Sequence, residues 1–400
     1  MTEIDFEDLF VEEPDPIEDE TDLEVILRSD LSNAIVQSTD WTIDTLVNQI
    51  EKGRIQLDPD FQRRDAWTNA RKSKFIESLF LGFPIPQLVL AESKRQKGKY
   101  MVIDGKQRLL SLIKFAGSEE LRSSFGEYKL SGLSILDKLN GKTFDQIESG
   151  DLGVSIDEFE GKTIRTIVIR HWEHESILYH IFLRLNTGSV QLSPQELRNA
   201  LHPGPFARFV DSKSADSPAL RKILKLKKPD FRMRDAELLL RYFSFVNFMP
   251  SYSGSMKQFL DHSTETLNDK WDSAETEITS QYLDFELGVE AVYEIFGNDS
   301  FRKYKDGSFV SRFNRAIYDI MLFYFRNPHI RDRAIAKSDD VLNSFINLST
   351  FNPEFVESVE TTTKSLGSTV TRFSSWTKTL NDTLNIDLPI PTLRQNRIHF

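Results

Sequence analysis

The sequence predicts an α+β domain followed by a mostly α-helical one. Three observations carry that reading. The strand signals Gln87-Leu-Val-Leu-Ala91, Tyr100-Met-Val-Ile103 and Lys162-Thr-Ile-Arg-Thr-Ile-Val-Ile-Arg170 all fall before residue 202. Beyond residue 205 such signals fade, and helical spacing dominates near 234–248, 266–296, 309–326 and 355–381. Residues 1–24 precede both parts and contain twelve Asp or Glu with no Lys or Arg. The expected organisation is an acidic disordered tail at 1–24, an α+β domain at 25–202 and an all-helical domain at 203–400.

The elements follow in order. Asp40–Ile50 reads as a short amphipathic helix with Trp41, Leu46, Val47 and Ile50 near one face. Ile55–Arg64 is a Pro-punctuated loop. Residues 69–81 return to helical spacing through Phe75, Ile76, Leu79 and Phe80, and Gly82-Phe-Pro-Ile-Pro86 stops that helix. The strands at 87–91 and 100–103 flank a lysine-rich hairpin loop at 94–99. Asp-Gly then leads into a helix with Leu109, Leu110, Leu112, Ile113 and Phe115 on its apolar side. Residues 117–155 are polar and dotted with Gly, and are expected to be an irregular insertion. A helix at about 174–185 ends at Asn186-Thr-Gly188, and Ser193-Pro194 caps the helix that follows at 194–201.

Composition narrows the class. Hydrophobic residues at 39% and charged residues at 28% allow a real core, which 30 Phe against 10 Tyr and 5 Trp make Phe-rich. The net charge of −11 belongs to the tail, because the remainder carries 50 basic against 49 acidic residues. Such a tail is either solvated or a nucleic-acid mimic that shields a basic groove. Cysteine is absent, which excludes disulfides, thiol catalysis and cysteine-ligated zinc and fits an expected cytoplasmic location. The acidic N-terminus has no signal-peptide pattern, and no run of 18 apolar residues predicts a membrane span.

The chemistry concentrates at Asp104-Gly105-Lys106-Gln107-Arg108. A strand ends and a helix begins there, so unsatisfied amides and the positive end of the helix dipole make an anion site. Gly105 allows close backbone approach, Arg108 supplies a planar donor fork for phosphate, and Gln107 can hold a water or a phosphate oxygen. Asp104 either caps the helix or, through water, helps hold magnesium. Two further clusters join it. Phe61-Gln62-Arg63-Arg64 places adjacent arginines in a loop, and Phe182-Leu-Arg-Leu-Asn-Thr-Gly188 puts Arg184 and Asn186 at a helix end.

The ordered set resembles the N-terminal domain of GmrSD-type restriction systems, a ParB-like family related in fold to sulfiredoxin. The matching segments are Pro59-Asp-Phe-Gln-Arg-Arg64 with Trp67, Ile76 to Pro86, Asp104-Gly-Lys-Gln-Arg-Leu109 with Phe115, and Phe182 to Gly188 followed by Leu192-Ser-Pro-Gln-Glu-Leu-Arg-Asn199. Arg232-Met-Arg-Asp-Ala-Glu237 with Leu240-Arg241, and Gly254-Ser-Met-Lys-Gln-Phe-Leu260, extend it to roughly residues 40–330. The resemblance implies nucleotide binding, often with hydrolysis, in defence against bacteriophage. By position, Asp104, Gly105, Gln107 and Arg108 would form the signature motif, with Asp104, Gln107 and Arg108 in catalytic roles. Gln62, Arg63, Arg64, Lys106, Arg184 and Asn186 would line the same pocket around an NTP with magnesium. The family usually has Gln where this chain has Lys106, so that lysine either adds a phosphate contact or points to solvent.

Other signals fail their own geometry. Gly-Lys-Thr at 141–143 and 161–163 lacks the preceding Gly that a P-loop needs, since Leu136 and Ile156 stand there. His171, His174 and His180 have no zinc-protease spacing. His262, His329 and His399 do not form a His-Asn-His nuclease pattern, so none is expected in this chain. The acids from Glu265 to Glu286 read as a solvated face. Lys225, Lys227, Lys228, Arg232 and Arg234 form a denser basic patch, either a surface charge run or a DNA contact. Three readings follow: an NTPase or NTP-gated switch, a non-hydrolysing DNA-binding regulator, and an adaptor that recruits a separate nuclease subunit.

Overall fold

A computed structural model describes residues 34–57, 65–94, 96–175, 177–178, 181, 193–361 and 363–400. The described residues within Leu23–Leu201 and Lys228–Arg234 form one compact unit, and those within His202–Lys227 and Asp235–Phe400 form a second. Residues 228–234, expected in the second domain, thus pack with the first. The acidic tail lies outside the described residues, as do His180 and all but five residues of the helix expected at 174–185.

The first unit is α+β. Its strands are β1 (Ile35–Thr42), β2 (Leu88–Glu92), β3 (Tyr100–Asp104) and β4 (Thr163–Arg170), in the order β1-β4-β2-β3. β2 runs parallel to β4, and the β1–β4 and β2–β3 pairs are antiparallel. Its helices among the described residues are α1 (Ile43–Glu51), α2 (Asn69–Phe80), α3 (Lys106–Ala116), α4 (Glu119–Phe125), α5 (Phe144–Glu148), α6 (Ile156–Gly161) and α7 (Pro194–Leu201). Period-two alternation divides the sheet residues between two cores. Leu88, Leu90, Val102 and Ile164 face the larger core, where α1, α2 and α3 bury Leu46, Ile76, Leu109 and Phe115. Val89, Ala91, Met101, Ile103 and Ile169 face a smaller core closed by Leu178, Leu197 and Leu201. Phe80 stacks on Phe159 at 4.4 Å and Phe115 meets Phe144 edge-on at 5.5 Å, so the larger core draws on the Phe excess.

Two expectations are corrected here. Trp41 lies on β1 rather than on a helix, and Thr42 caps α1 by accepting from the Thr45 amide. Residues 117–155 are not an irregular insertion. They form α4, α5 and connecting turns, and bury Phe125, Tyr128, Leu130, Leu133, Leu139 and Ile147 in the larger core.

The second unit is mostly helical: α8 (Pro205–Asp216), α9 (Pro218–Leu224), α10 (Arg234–Phe248, whose first residue belongs to the other unit), α11 (Met256–Asp269), α12 (Trp271–Phe296), α13 (Arg315–Phe325), α14 (Pro328–Ala336), α15 (Ser338–Phe351), α16 (Pro353–Glu360) and α17 (Leu366–Leu384). It is not all-helical as expected. β5 (Arg302–Lys305) pairs with β6 (Ser308–Phe313), and β7 (Thr392–Arg394) with β8 (Arg397–His399). Both hairpins turn on two residues with positive φ, Asp306-Gly307 and Gln395-Asn396, the geometry that matches the twist of paired strands. At the centre of this unit Arg241 donates to Asp319 at 2.5 Å and Arg372 stands 3.8 Å from the same carboxylate, all three side chains being buried. Among the described residues no helix is long and apolar enough to cross a membrane.

Candidate nucleotide-binding site

The Asp104–Arg108 turn sits where β3 hands over to α3. Gly105 makes the junction, at φ +99°. A Cβ built there would lie 2.2 Å from Leu88 Cδ2 and 3.3 Å from the Arg108 guanidinium, so only glycine fits both the backbone and the space. No side chain caps the first turn of α3. Asp104 is therefore not the helix cap that one reading of the sequence allowed. Its carboxylate accepts instead from Arg108 Nη2 at 2.7 Å, and Arg108 Nη1 donates to the Pro86 carbonyl at 2.5 Å. Two segments of the resemblance thus meet, because the Pro-rich stop after α2 supplies the carbonyl that orients the motif's arginine. Arg108 is buried while Asp104 stays half-buried at the rim.

Lys106 neither points to solvent nor stands free for phosphate. Its ammonium lies 3.0 Å from Glu196 Oε1, and both side chains are 7% exposed. The other Glu196 oxygen accepts from the Ser193 amide at 2.8 Å, while the Glu196 amide donates to Ser193 Oγ at 3.1 Å. This reciprocal cap at the start of α7 aims one carboxylate oxygen at Lys106. Glu196 was missed by sequence reasoning, although Ser193-Pro-Gln-Glu196 is a capping-box spacing. Lys106→Gln is expected to lower stability by about 1–3 kcal/mol, as an amide replaces one charge of a buried hydrogen-bonded pair. A urea melt checks this.

Gln107 is half-buried and its Oε1 accepts from the Trp67 amide at 3.3 Å. Two residues earlier in the chain, Asp65 Oδ2 takes Lys72 at 2.5 Å and Lys114 at 2.8 Å. Asp65, Lys72 and Lys114 were not read from the sequence, since their separation along the chain carries no local pattern. Burial pushes the Asp65 carboxyl up, but the two lysines outweigh it and hold it below its usual range. Burial pulls Lys72 down more than its bond to Asp65 raises it, and the neighbouring Lys114 ammonium adds to the fall. A carboxyl lowered on folding stabilises above its unfolded pKa and loses that contribution as pH falls through the folded value. Asp65→Asn should therefore cost about 2 kcal/mol at neutral pH, since it strands two buried ammoniums. Melts across pH should show the gap closing below the ordinary Asp range.

Gln62, Arg63, Arg64, Arg184 and Asn186 lie outside the described residues. The described ends of their segments are held at the motif helix: Asp65 and Trp67 follow the first, Ser193 and Glu196 follow the second, and each end bonds to α3 through Lys114, Gln107 or Lys106. In the basic patch, Lys225 and Lys227 are exposed in the second unit, and Lys228 and Arg232 are exposed in the first. Arg234 differs, being half-buried with its fork on Asp230 at 2.9 and 3.0 Å. His171 and His174 are exposed.

Residues 43–203 match the family model described as the N-terminal domain of the GmrSD restriction endonuclease. No curated protein and no solved structure matches the chain.

Proposed function

We propose that this protein, whose residues 43–203 match the family model of the GmrSD restriction endonuclease N-terminal domain, is the nucleotide-binding component of a restriction-type system that defends bacteria against phage. The observation that carries the reading is the β3–α3 junction. There a positive-φ glycine and an uncapped helix start stand beside a buried arginine. Backbone amides at such a start, together with the dipole, favour a phosphate without any further charge. Arg108 would add charge-assisted donors, and its bond to Pro86 fixes the plane of its fork.

Magnesium fits this arrangement as a partner of the phosphates. Asp104 has one oxygen on Arg108, and its side chain keeps 23% of its surface exposed. One carboxylate is what a magnesium ion held chiefly by water and phosphate oxygens requires. Gln107, tied to the Trp67 amide through its oxygen, keeps its amide N–H groups for a phosphate oxygen or water. Hydrolysis would then rest on positioning and electrostatics, with Asp104, Gln107 and Arg108 as the acting groups. The test is a binding and phosphate-release screen of the four NTPs with magnesium. Binding without release leaves an NTP-gated switch, and no binding by any NTP removes the proposal.

A second reading is DNA contact through Lys225 and Lys227, which are both exposed in the second unit. It predicts DNA affinity that falls with salt and does not depend on Arg108. The adaptor reading instead calls for a separate nuclease subunit, which co-purification would reveal.

A further inference from the structure

We propose a second anion site in the helical unit, a pocket for a phosphate ester between the C-terminal turn of α9 and the β5–β6 hairpin. The pocket measures about 490 Å³, within the range of small-molecule sites. Its polar lining comes from Lys222, Lys225, Tyr293, Asn298, Ser300, Arg302 and Ser311, and no carboxylate lines it. Three cations around one concavity without a lining acid favour an anion, and the number of separate donors favours one with several oxygens.

The cations are held in place by different means. Lys222 lies over the Tyr293 ring at 3.8 Å, which fixes the ammonium at the wall without neutralising it. Lys225 takes φ +52° as it ends α9, and its exposed side chain makes no ion pair among the described residues. Arg302 shares one N–H with Asp299 at 3.3 Å, outside the lining, and keeps the rest of its fork. The Ser300 hydroxyl is already donated to Val292 and Gly297 carbonyls, so it offers only its lone pairs, and donors come from the asparagine amide and the cations among the other lining groups. The site is separate from the β3–α3 turn and does not depend on the nucleotide reading.

Lysine acylation read by mass spectrometry on the full chain tests it, with inorganic pyrophosphate and a short single-stranded DNA oligonucleotide as probes. Lys222 and Lys225 should be protected, and the exposed Lys52 and Lys378 should not. Lys225→Glu should weaken the protection of Lys222 roughly tenfold, the loss expected for one charge-assisted bond. Arg302→Gln should act in the same direction, and both variants should melt as the wild type does. Protection by pyrophosphate supports the proposal with free phosphate esters as ligands. Protection by the oligonucleotide alone supports it with a nucleic-acid backbone as the source. Absence of protection with both probes, or protection unchanged in both variants, overturns it.

Discussion

Replacing Asp319 by alanine should destabilise the helical unit by about 3–5 kcal/mol, the cost of leaving buried charges without a counter-ion. Asp319 is the shared carboxylate of Arg241 and Arg372, and each of the three side chains is at most 2% exposed. Burial disfavours the Arg241 charge, but Asp319 more than restores it and raises its pKa above the usual arginine value. Burial leaves Arg372 lowered, since it is the more distant partner and feels Arg241 as well. The charges are therefore unequal in worth. Arg372→Met should cost clearly less than Asp319→Ala, because it removes the surplus positive charge and only one hydrogen bond, to the Thr363 carbonyl. Urea melts of the two variants check the order. Equal costs would mean that Arg372 is as well compensated as Arg241.

Gly105→Ala should cost about 2–4 kcal/mol, combining the strain of a positive-φ alanine with overpacking against a fixed neighbour. The neighbour is Leu88, fully buried on β2, so it cannot move aside cheaply. Gly105→Asn separates the two causes. Asparagine tolerates positive φ better than alanine, yet its Cβ meets the same methyl group at 2.2 Å. It should fail as badly as alanine if space decides the matter, and a milder asparagine would show that backbone strain dominates. Either substitution should also weaken nucleotide binding, because the motif's amides are set by this turn.

The core strands were legible because their neighbours made them so. β2 and β3 are buried on both faces, β4 alternates exposed and buried before its buried Val168–Ile169 pair, and all three stand out between polar segments. β1 was not, since Ile35-Val-Gln-Ser-Thr-Asp-Trp-Thr42 is an exposed edge strand that passes directly into α1, and Trp41 blends into the helical spacing that follows. Residues 117–155 escaped for another reason. Gly126, Gly132, Gly141 and Gly153 take positive φ and cut the segment into pieces shorter than a helical period test can detect. Asp306-Gly307 was a missed signal, a hairpin dipeptide just before the stretch at 309–326 that was read as helix.

At the site, the turn itself was legible and its partners were not. Gly105 and Arg108 follow from the strand–Gly–helix pattern. The bonds to Pro86, Glu196 and Trp67 join residues up to 90 positions apart, which no local pattern encodes. The departure at Lys106 changes meaning once Glu196 is seen beside it. It becomes a tether between α3 and α7, and in the proposed nucleotide reading the phosphate contacts would fall to Gly105, Gln107 and Arg108.

Equilibrium binding of magnesium NTPs to the full chain and to Arg108→Ala tests the central claim most directly. Circular dichroism and a urea melt would establish that the variant is folded, with Asp104→Asn as a second folded control for the broken Asp104–Arg108 pair. The account predicts that the wild type binds at least one NTP and that Arg108→Ala loses roughly tenfold or more in affinity, the value of a charge-assisted phosphate contact. Unchanged affinity in a folded Arg108→Ala protein would contradict it and place any nucleotide elsewhere.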